Sequence, residues 1–216
     1  MNFYKLERKF GRLAIPNLMI FIVITQFAVF VCDLVVPELF VTQYLYFSRD
    51  LILKGEVWRV LSFIFMPPSA SEVGIVFSLY FSFLIGSYLE RAWGTFKFNV
   101  YYFLGTVLTI AAGMITGFAG NEFLHLSLFF AFAIISPDEE IRLFFMIPIK
   151  AKYIACVDAV IYVVAFIMGS WSERAGIIAA IINLLIFFGR ELVRNVKNQT
   201  QYYKTRRNFR SNIRGR

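Results

Sequence analysis

Six apolar runs leave this chain few ways to fold: Leu13–Val36, Ile75–Leu89, Phe98–Phe118, Phe123–Ile135, Tyr153–Ser170 and Ala175–Phe188. About 20 apolar residues in a helix cross the roughly 30 Å of hydrocarbon in a bilayer. A chain in lipid must satisfy its own backbone hydrogen bonds, which restricts spanning segments to helices or closed barrels. The runs are therefore read as six membrane-spanning helices. The 22 Lys and Arg residues support that count by how they sort between the runs. Four precede the first run (Lys5, Arg8, Lys9, Arg12), three lie in the next connection (Arg49, Lys54, Arg59), and two follow the second run (Arg91, Lys97). None follows the third, three follow the fourth (Arg142, Lys150, Lys152), one follows the fifth (Arg174), and nine lie from Arg190 to Arg216. With six spans, eighteen fall on one side and four on the other. Cytoplasmic segments carry the Lys/Arg excess, so both termini are expected in the cytoplasm. A missed or extra span would scramble the alternation.

The chain of 216 residues is 59% hydrophobic, and its mean hydropathy is +0.66. Soluble domains are nearer 45–50% apolar. The expected fold class is an all-α membrane protein built as one six-helix domain over residues 13–193. An amphipathic cytoplasmic segment (1–12) precedes it and a basic cytoplasmic tail (194–216) follows. The net charge of +8 belongs mostly to that tail. It points to anionic lipid as the tail's partner rather than to specific nucleic-acid binding. Asn198-Gln199-Thr200 in the tail matches a glycosylation sequon, but a cytoplasmic tail stays unmodified. Leu13–Val36 exceeds a signal-peptide core and lacks a small-residue cleavage site, so it is read as a retained span. Cys32 and Cys156 fall at opposite ends of the predicted topology, which argues against a disulfide, and their spacing matches no metal motif. No metal and no cofactor are expected. The 26 Phe residues are read as packing and interface side chains.

The connection from Pro37 to Gly74 is too apolar for a free loop and is expected to lie in the interface or dip among the helices. The second and fourth runs, 15 and 13 residues long, would reach only about 20–23 Å as helices. Such segments are either enclosed by other helices or surrounded by a thinned bilayer. Asp158 interrupts the fifth run, and an ionisable residue within a span faces a bundle interior or a partner. It lies about a turn and a half from the predicted cytoplasmic end, so pairing with Lys150 or Lys152, or a neutral hydrogen-bonded acid, is the structural reading, and a place in a path or site is the functional one. Glu122 and His125 are further polar residues within membrane depth, and Asp33 sits near the end of the first run. Gly113-Met-Ile-Thr-Gly117 has the spacing of a close helix-packing motif.

Several motifs occur in a meaningful order. Trp58-Arg59 lies in the first connection. Leu89-Glu90-Arg91-Ala92-Trp93-Gly94-Thr95-Phe96-Lys97-Phe98 closes the second run. Ser136-Pro137-Asp138 precedes Phe144 through Lys152. Together, over roughly Ile15 to Gly189, they resemble the rhomboid superfamily. Active rhomboids are intramembrane serine proteases with a Gly-x-Ser-Gly nucleophile opening the fourth span and a His base in the sixth. Here the nucleophile position falls near Glu122 or Phe123, and Ala119 to His125 contains no such motif. The family's oxyanion Asn falls at Ser78 and its accompanying His at Gly74. The sixth run has no His, and His125 is the only histidine in the chain. A displaced His125–Ser127 dyad is disfavoured because residues two apart on a helix point to different sides. The resemblance is therefore to rhomboid pseudoproteases, of which the Derlins are the best-known branch.

That resemblance implies a non-catalytic protein that binds or handles other transmembrane proteins as adaptor, chaperone or dislocation factor, with local bilayer thinning and a lateral opening between the second and fifth spans. Trp58, Arg59, Glu90, Arg91 and Gly94 are the candidate structural or client-contact positions. Asp158, Glu122 and His125 are the intramembrane polar ones. Two other readings compete. One is a transporter or channel subunit using Asp158, Glu122 and Asp33, against which few polar residues are expected to face a common path. The other is an intramembrane hydrolase with an unconventional site at Asn121, Glu122 and His125. A bacterial plasma membrane is favoured, with the endoplasmic reticulum membrane as the alternative. Client and oligomeric state are not encoded in any motif.

Overall fold

A computed structural model describes residues 3–36, 38, 40–68, 72–143 and 147–189. The tail from residue 190, with its basic cluster and sequon, lies outside the described residues. The chain divides into a unit from Met1 to Asn183 and a second from Leu184 onward.

Each of the six apolar runs is a helix. After a short α1 (Phe3–Phe10), α2 spans Leu18–Val35. The first connection forms three short helices, α3 (Val41–Leu45), α4 (Arg49–Leu53) and α5 (Arg59–Ser62), followed by a 3-10 turn at Phe63–Phe65. Then come α6 (Glu72–Trp93), α7 (Thr95–Thr116) and α8 (Glu122–Ile135). Two antiparallel strands, β1 (Glu140–Leu143) and β2 (Ile147–Lys150), precede α9 (Ala151–Met168). The last helix among the described residues, α10, runs Trp171–Gly189. By length and composition four segments can cross a membrane: Glu7–Val35, α7, α9 and α10, with α8 as a shorter apolar helix.

Two expectations change. The all-α reading missed the hairpin, because four-residue strands in the connection between the fourth and fifth runs carry too short a pattern to stand out. The second run is not short as a helix: α6 has 22 residues and is about 33 Å long, its polar flanks at Glu72 and Glu90–Trp93 continuing the helix past the apolar core. The fourth run does make a short helix. α8 has 14 residues, about 21 Å, and nine of them are buried. It is enclosed by protein, which is how so short a helix can exist at membrane depth.

α8 is the hub of the first unit, packing against α6, α7 and α9. Phe123 and Leu126 of α8 form a core cluster with Ile177 and Ala180 of α10. Gly176 allows this approach, because a Cβ there would collide with the Phe123 ring. Behind α8, the Tyr101 hydroxyl donates to the Ser127 carbonyl at 2.8 Å and lies 3.1 Å from Ser127 Oγ. The Asn183 amide donates to Ser127 Oγ at 3.3 Å and to the Tyr101 carbonyl at 3.4 Å. Ser127 is thus committed to helix packing.

α2 buries the stripe Leu18, Met19, Ile22 and Gln26 against α6 and the 3-10 turn, at helical spacing. The Gln26 amide donates to the Ile64 carbonyl at 2.7 Å. At one end of the bundle, Glu90 accepts from the Asn17 backbone N–H (2.8 Å) and Asn99 donates to the Ile15 carbonyl (3.0 Å). Gly94 turns α6 into α7 at φ +84°, where an L side chain is strained.

Candidate functional site

α6, α8 and α9 each carry a polar pair at one-turn spacing: Ser78 and Ser82, Glu122 and His125, and Asp158 and Tyr162. Residues three or four apart lie on one side of a helix, and all six side chains converge on one cavity of about 260 Å³. Pro68, Phe77, Phe81, Leu126 and Phe129 complete its lining. α8 packs on both α6 and α9, whereas α6 and α9 have no comparable packing on each other. The cavity therefore occupies the seam between the second and fifth apolar helices.

Ser82 Oγ lies 2.9 Å from His125 Nδ1. His125 Nε2 is buried without a hydrogen-bond partner. Neither Glu122 nor Asp158 has an ion-pair partner among the described residues, and no Lys or Arg is among the lining residues. This corrects the expected pairing of Asp158: both candidate lysines are engaged by Asp138 instead, Lys152 Nζ at 2.6 Å and Lys150 Nζ at 3.5 Å. It also corrects the view that few polar residues share a path. Asp33, by contrast, is remote from the cavity. Its carboxylate accepts from the Val41 N–H at 2.6 Å and from the Thr42 N–H and hydroxyl, capping α3.

The other candidates lie away from this cavity. Arg59 is buried and holds the first connection together. Its guanidinium donates to the carbonyls of Gln43 (2.9 Å) and Tyr46 (3.0 Å), pairs with Glu56 at 2.6 Å, and stacks 4.6 Å from the Tyr46 ring. Trp58 Nε1 donates to the Tyr44 carbonyl at 3.2 Å, while its ring is half exposed. Glu90 and Gly94 build the α2–α6–α7 end described above, and Arg91 is exposed there. Gly113 packs face-on to Phe47 and Ala119, and Gly117 terminates α7 at φ +99°, so this pair closes a helix end rather than joining two helices.

The first connection is tied to the ends of α7 and α8 next to the cavity. Asn121 Nδ2 donates to the Met66 carbonyl at 2.6 Å, and the Arg49 N–H donates to the Gly117 carbonyl at 3.0 Å. Sequence reasoning overlooked Ser82 and Tyr162. Their signal was available, since each stands one turn from a polar residue that had been singled out.

The profile of the Der1-like family matches residues 15–205, which include every apolar helix and the connections between them. The chain belongs to the Der1-like family. Among curated proteins no match was found. Der1-like proteins are rhomboid-like, multi-pass membrane proteins, typically catalytically inactive. In this Der1-like protein Glu122 and Ser78, where the rhomboid resemblance leads one to expect the nucleophile and oxyanion positions, line the cavity, and Phe123 is buried in α8 beside it.

Proposed function

We propose that this chain is a non-catalytic rhomboid-like protein that binds other transmembrane proteins and handles them as chaperone, adaptor or dislocation factor. The observation that carries the reading is the polar cavity at the α6–α9 seam. α9 supports entry from the bilayer side: it exposes Val157, Val160, Val163, Val164 and Ile167, and only 6% of its apolar window is buried. A helix held mainly along α8 can part from α6 with little loss of packing, admitting a client span laterally. A marginally apolar client span gains by placing its polar residue against the polar side chains of the cavity rather than lipid. Bilayer thinning has weaker support than the run lengths implied, because α6 is full length and α8 is enclosed.

One observation favours hydrolysis as a second reading: the 2.9 Å contact of Ser82 with His125. An activated nucleophile needs its base oriented by a third group, and His125 Nε2 has no such partner. The two readings separate in one experiment on the full chain in nanodiscs. A fluorophosphonate probe should leave Ser82 unlabelled, while a defined single-span protein with one mid-span Gln should photo-crosslink to α6 and α9. Filling the cavity with Ser78→Trp should abolish that crosslink. Labelling of Ser82 that is lost in His125→Ala would replace this reading with an enzyme.

For the membrane involved, the Phe/Ile-rich helices favour a bacterial plasma membrane. Anionic lipid remains the proposed partner of the basic tail.

A further inference from the structure

The cavity has largely apolar walls, and the charge of its polar groups is one-sided. Two carboxylates line it, Glu122 from α8 and Asp158 from α9, and no cationic side chain lines it among the described residues. The basic groups flanking the two ends of α9 are occupied. Lys150 and Lys152 are bound to Asp138. Arg174 donates to the carbonyls of Phe166 (3.0 Å) and Ile167 (2.9 Å) at the end of α9. Glu173 of α10 acts on Glu122 as a further negative charge. Glu173 is itself fixed in a reciprocal cap, accepting from the Ser170 N–H at 2.6 Å while Ser170 Oγ accepts from the Glu173 N–H at 3.3 Å.

An acidic pair at membrane depth with no internal counter-charge is costly. The cavity also holds a second unmet demand, because His125 Nε2 is buried and unpartnered. The hydroxyls of Ser78, Ser82 and Tyr162 add acceptors around the same space. The size is restrictive. A cavity of about 150 Å³ holds a benzene, whereas cofactor and drug pockets run about 300–1,000 Å³. At about 260 Å³ the site suits one long side chain.

We infer that the cavity receives a basic side chain, Lys or Arg, presented from within the span of a client transmembrane helix. The inference rests on the client-binding reading above and specifies its partner. A lysine or arginine stranded in lipid costs about 2.5–3.5 kcal/mol on insertion scales. The client's penalty and the unpaired carboxylates of the cavity are relieved by the same event. The apolar walls from Phe77, Phe81 and Phe129 suit the methylene stem, while the acids meet the charged head. An acidic client span is repelled by the same field.

The test uses full chain in neutral-lipid nanodiscs and synthetic Leu/Ala single-span peptides. The peptides carry Lys, Met or Glu at one central position, and binding is read by fluorescence transfer. The Lys peptide should bind at least about tenfold more tightly than the Met peptide, and the Glu peptide more weakly than either. In Glu122→Gln/Asp158→Asn, which preserves shape, the Lys and Met peptides should bind equally. Equal binding of the two to the unaltered chain, abolished by Ser78→Trp, would overturn the charge inference and leave client binding intact. Binding of no peptide, or binding indifferent to Ser78→Trp, would overturn both. A Lys preference that persists in Glu122→Gln/Asp158→Asn would place the basic group elsewhere and also defeat the inference.

Discussion

Arg59 shows how much one side chain can do in a connection that lacks long helices. Its planar fork reaches two carbonyls and a carboxylate at once, a geometry that a lysine ammonium cannot reproduce. Arg59→Lys should therefore destabilise the protein by about 3 kcal/mol, measured as a lowered midpoint of unfolding in mixed micelles, although charge is conserved. Asp138 gives a second prediction at this scale. The hydrogen bond from Lys152 and its charge hold the Asp138 carboxyl below the usual carboxylate range. A carboxylate whose folded value is depressed contributes stability above its unfolded value, about 3.9, and loses it as pH falls through the folded one. Stability measured from pH 5 downward should thus fall less steeply in Asp138→Asn than in the unaltered chain. The group is fully exposed, so the difference is small. The same residue explains a misreading. Lys150 and Lys152 look like partners for Asp158 because they are near in sequence, but β1 and β2 fold Asp138 back onto them, and nothing in a linear pattern announces that return.

At the scale of elements, the helices were legible and their convergence was not. Apolar run length located all six, since each must satisfy its own backbone in lipid. The limits of α6 were misjudged because hydropathy falls at Glu90 and Arg91 while the helix continues to Trp93. The cavity required knowing which sides of α6, α8 and α9 meet, and that is set by packing between residues about 40 to 80 positions apart. Part of the signal was present in the one-turn pairs Ser78/Ser82, Glu122/His125 and Asp158/Tyr162. Such pairs say that a helix has a polar side, not that three of those sides share one space. The position of α8 depends on its back as well as its cavity side. Tyr101→Phe removes the hydroxyl that bonds Ser127 and keeps the ring against Trp93. It should cost about 0.5–1 kcal/mol of stability, seen in unfolding by a denaturing detergent, with cavity binding of a client peptide nearly unchanged. A large loss of binding would instead mean that this network sets the shape of the cavity.

For the whole molecule, the uneven distribution of basic residues remains the argument for orientation. Single cysteines placed in a Cys32→Ser/Cys156→Ser background at Asn2 and Arg216 should react with a membrane-impermeant maleimide only after the cytoplasmic side is exposed. One at Ser48 should react from the opposite side. Labelling of both termini from outside would reverse the topology. Membership of the Der1-like family over residues 15–205 agrees with the resemblance carried by Trp58-Arg59, Glu90 to Phe98 and Ser136-Pro137-Asp138. The ordered motifs were readable because each marks a junction between helices, where backbone geometry restricts the residue. Gly94 at φ +84° is the clearest case.

Gln26 sits in the middle of α2, fully buried, with its amide bonded to Ile64 and its Oε1 unpartnered. The α2 entry is likewise closed by Glu90, 73 residues downstream. During synthesis, then, the first helix reaches the membrane well before either partner exists. Released into lipid at that moment, it would carry an unsatisfied amide. The nascent chain is better served by lingering beside the insertion machinery until α6 emerges, an order that favours release of a pair over release of one helix at a time.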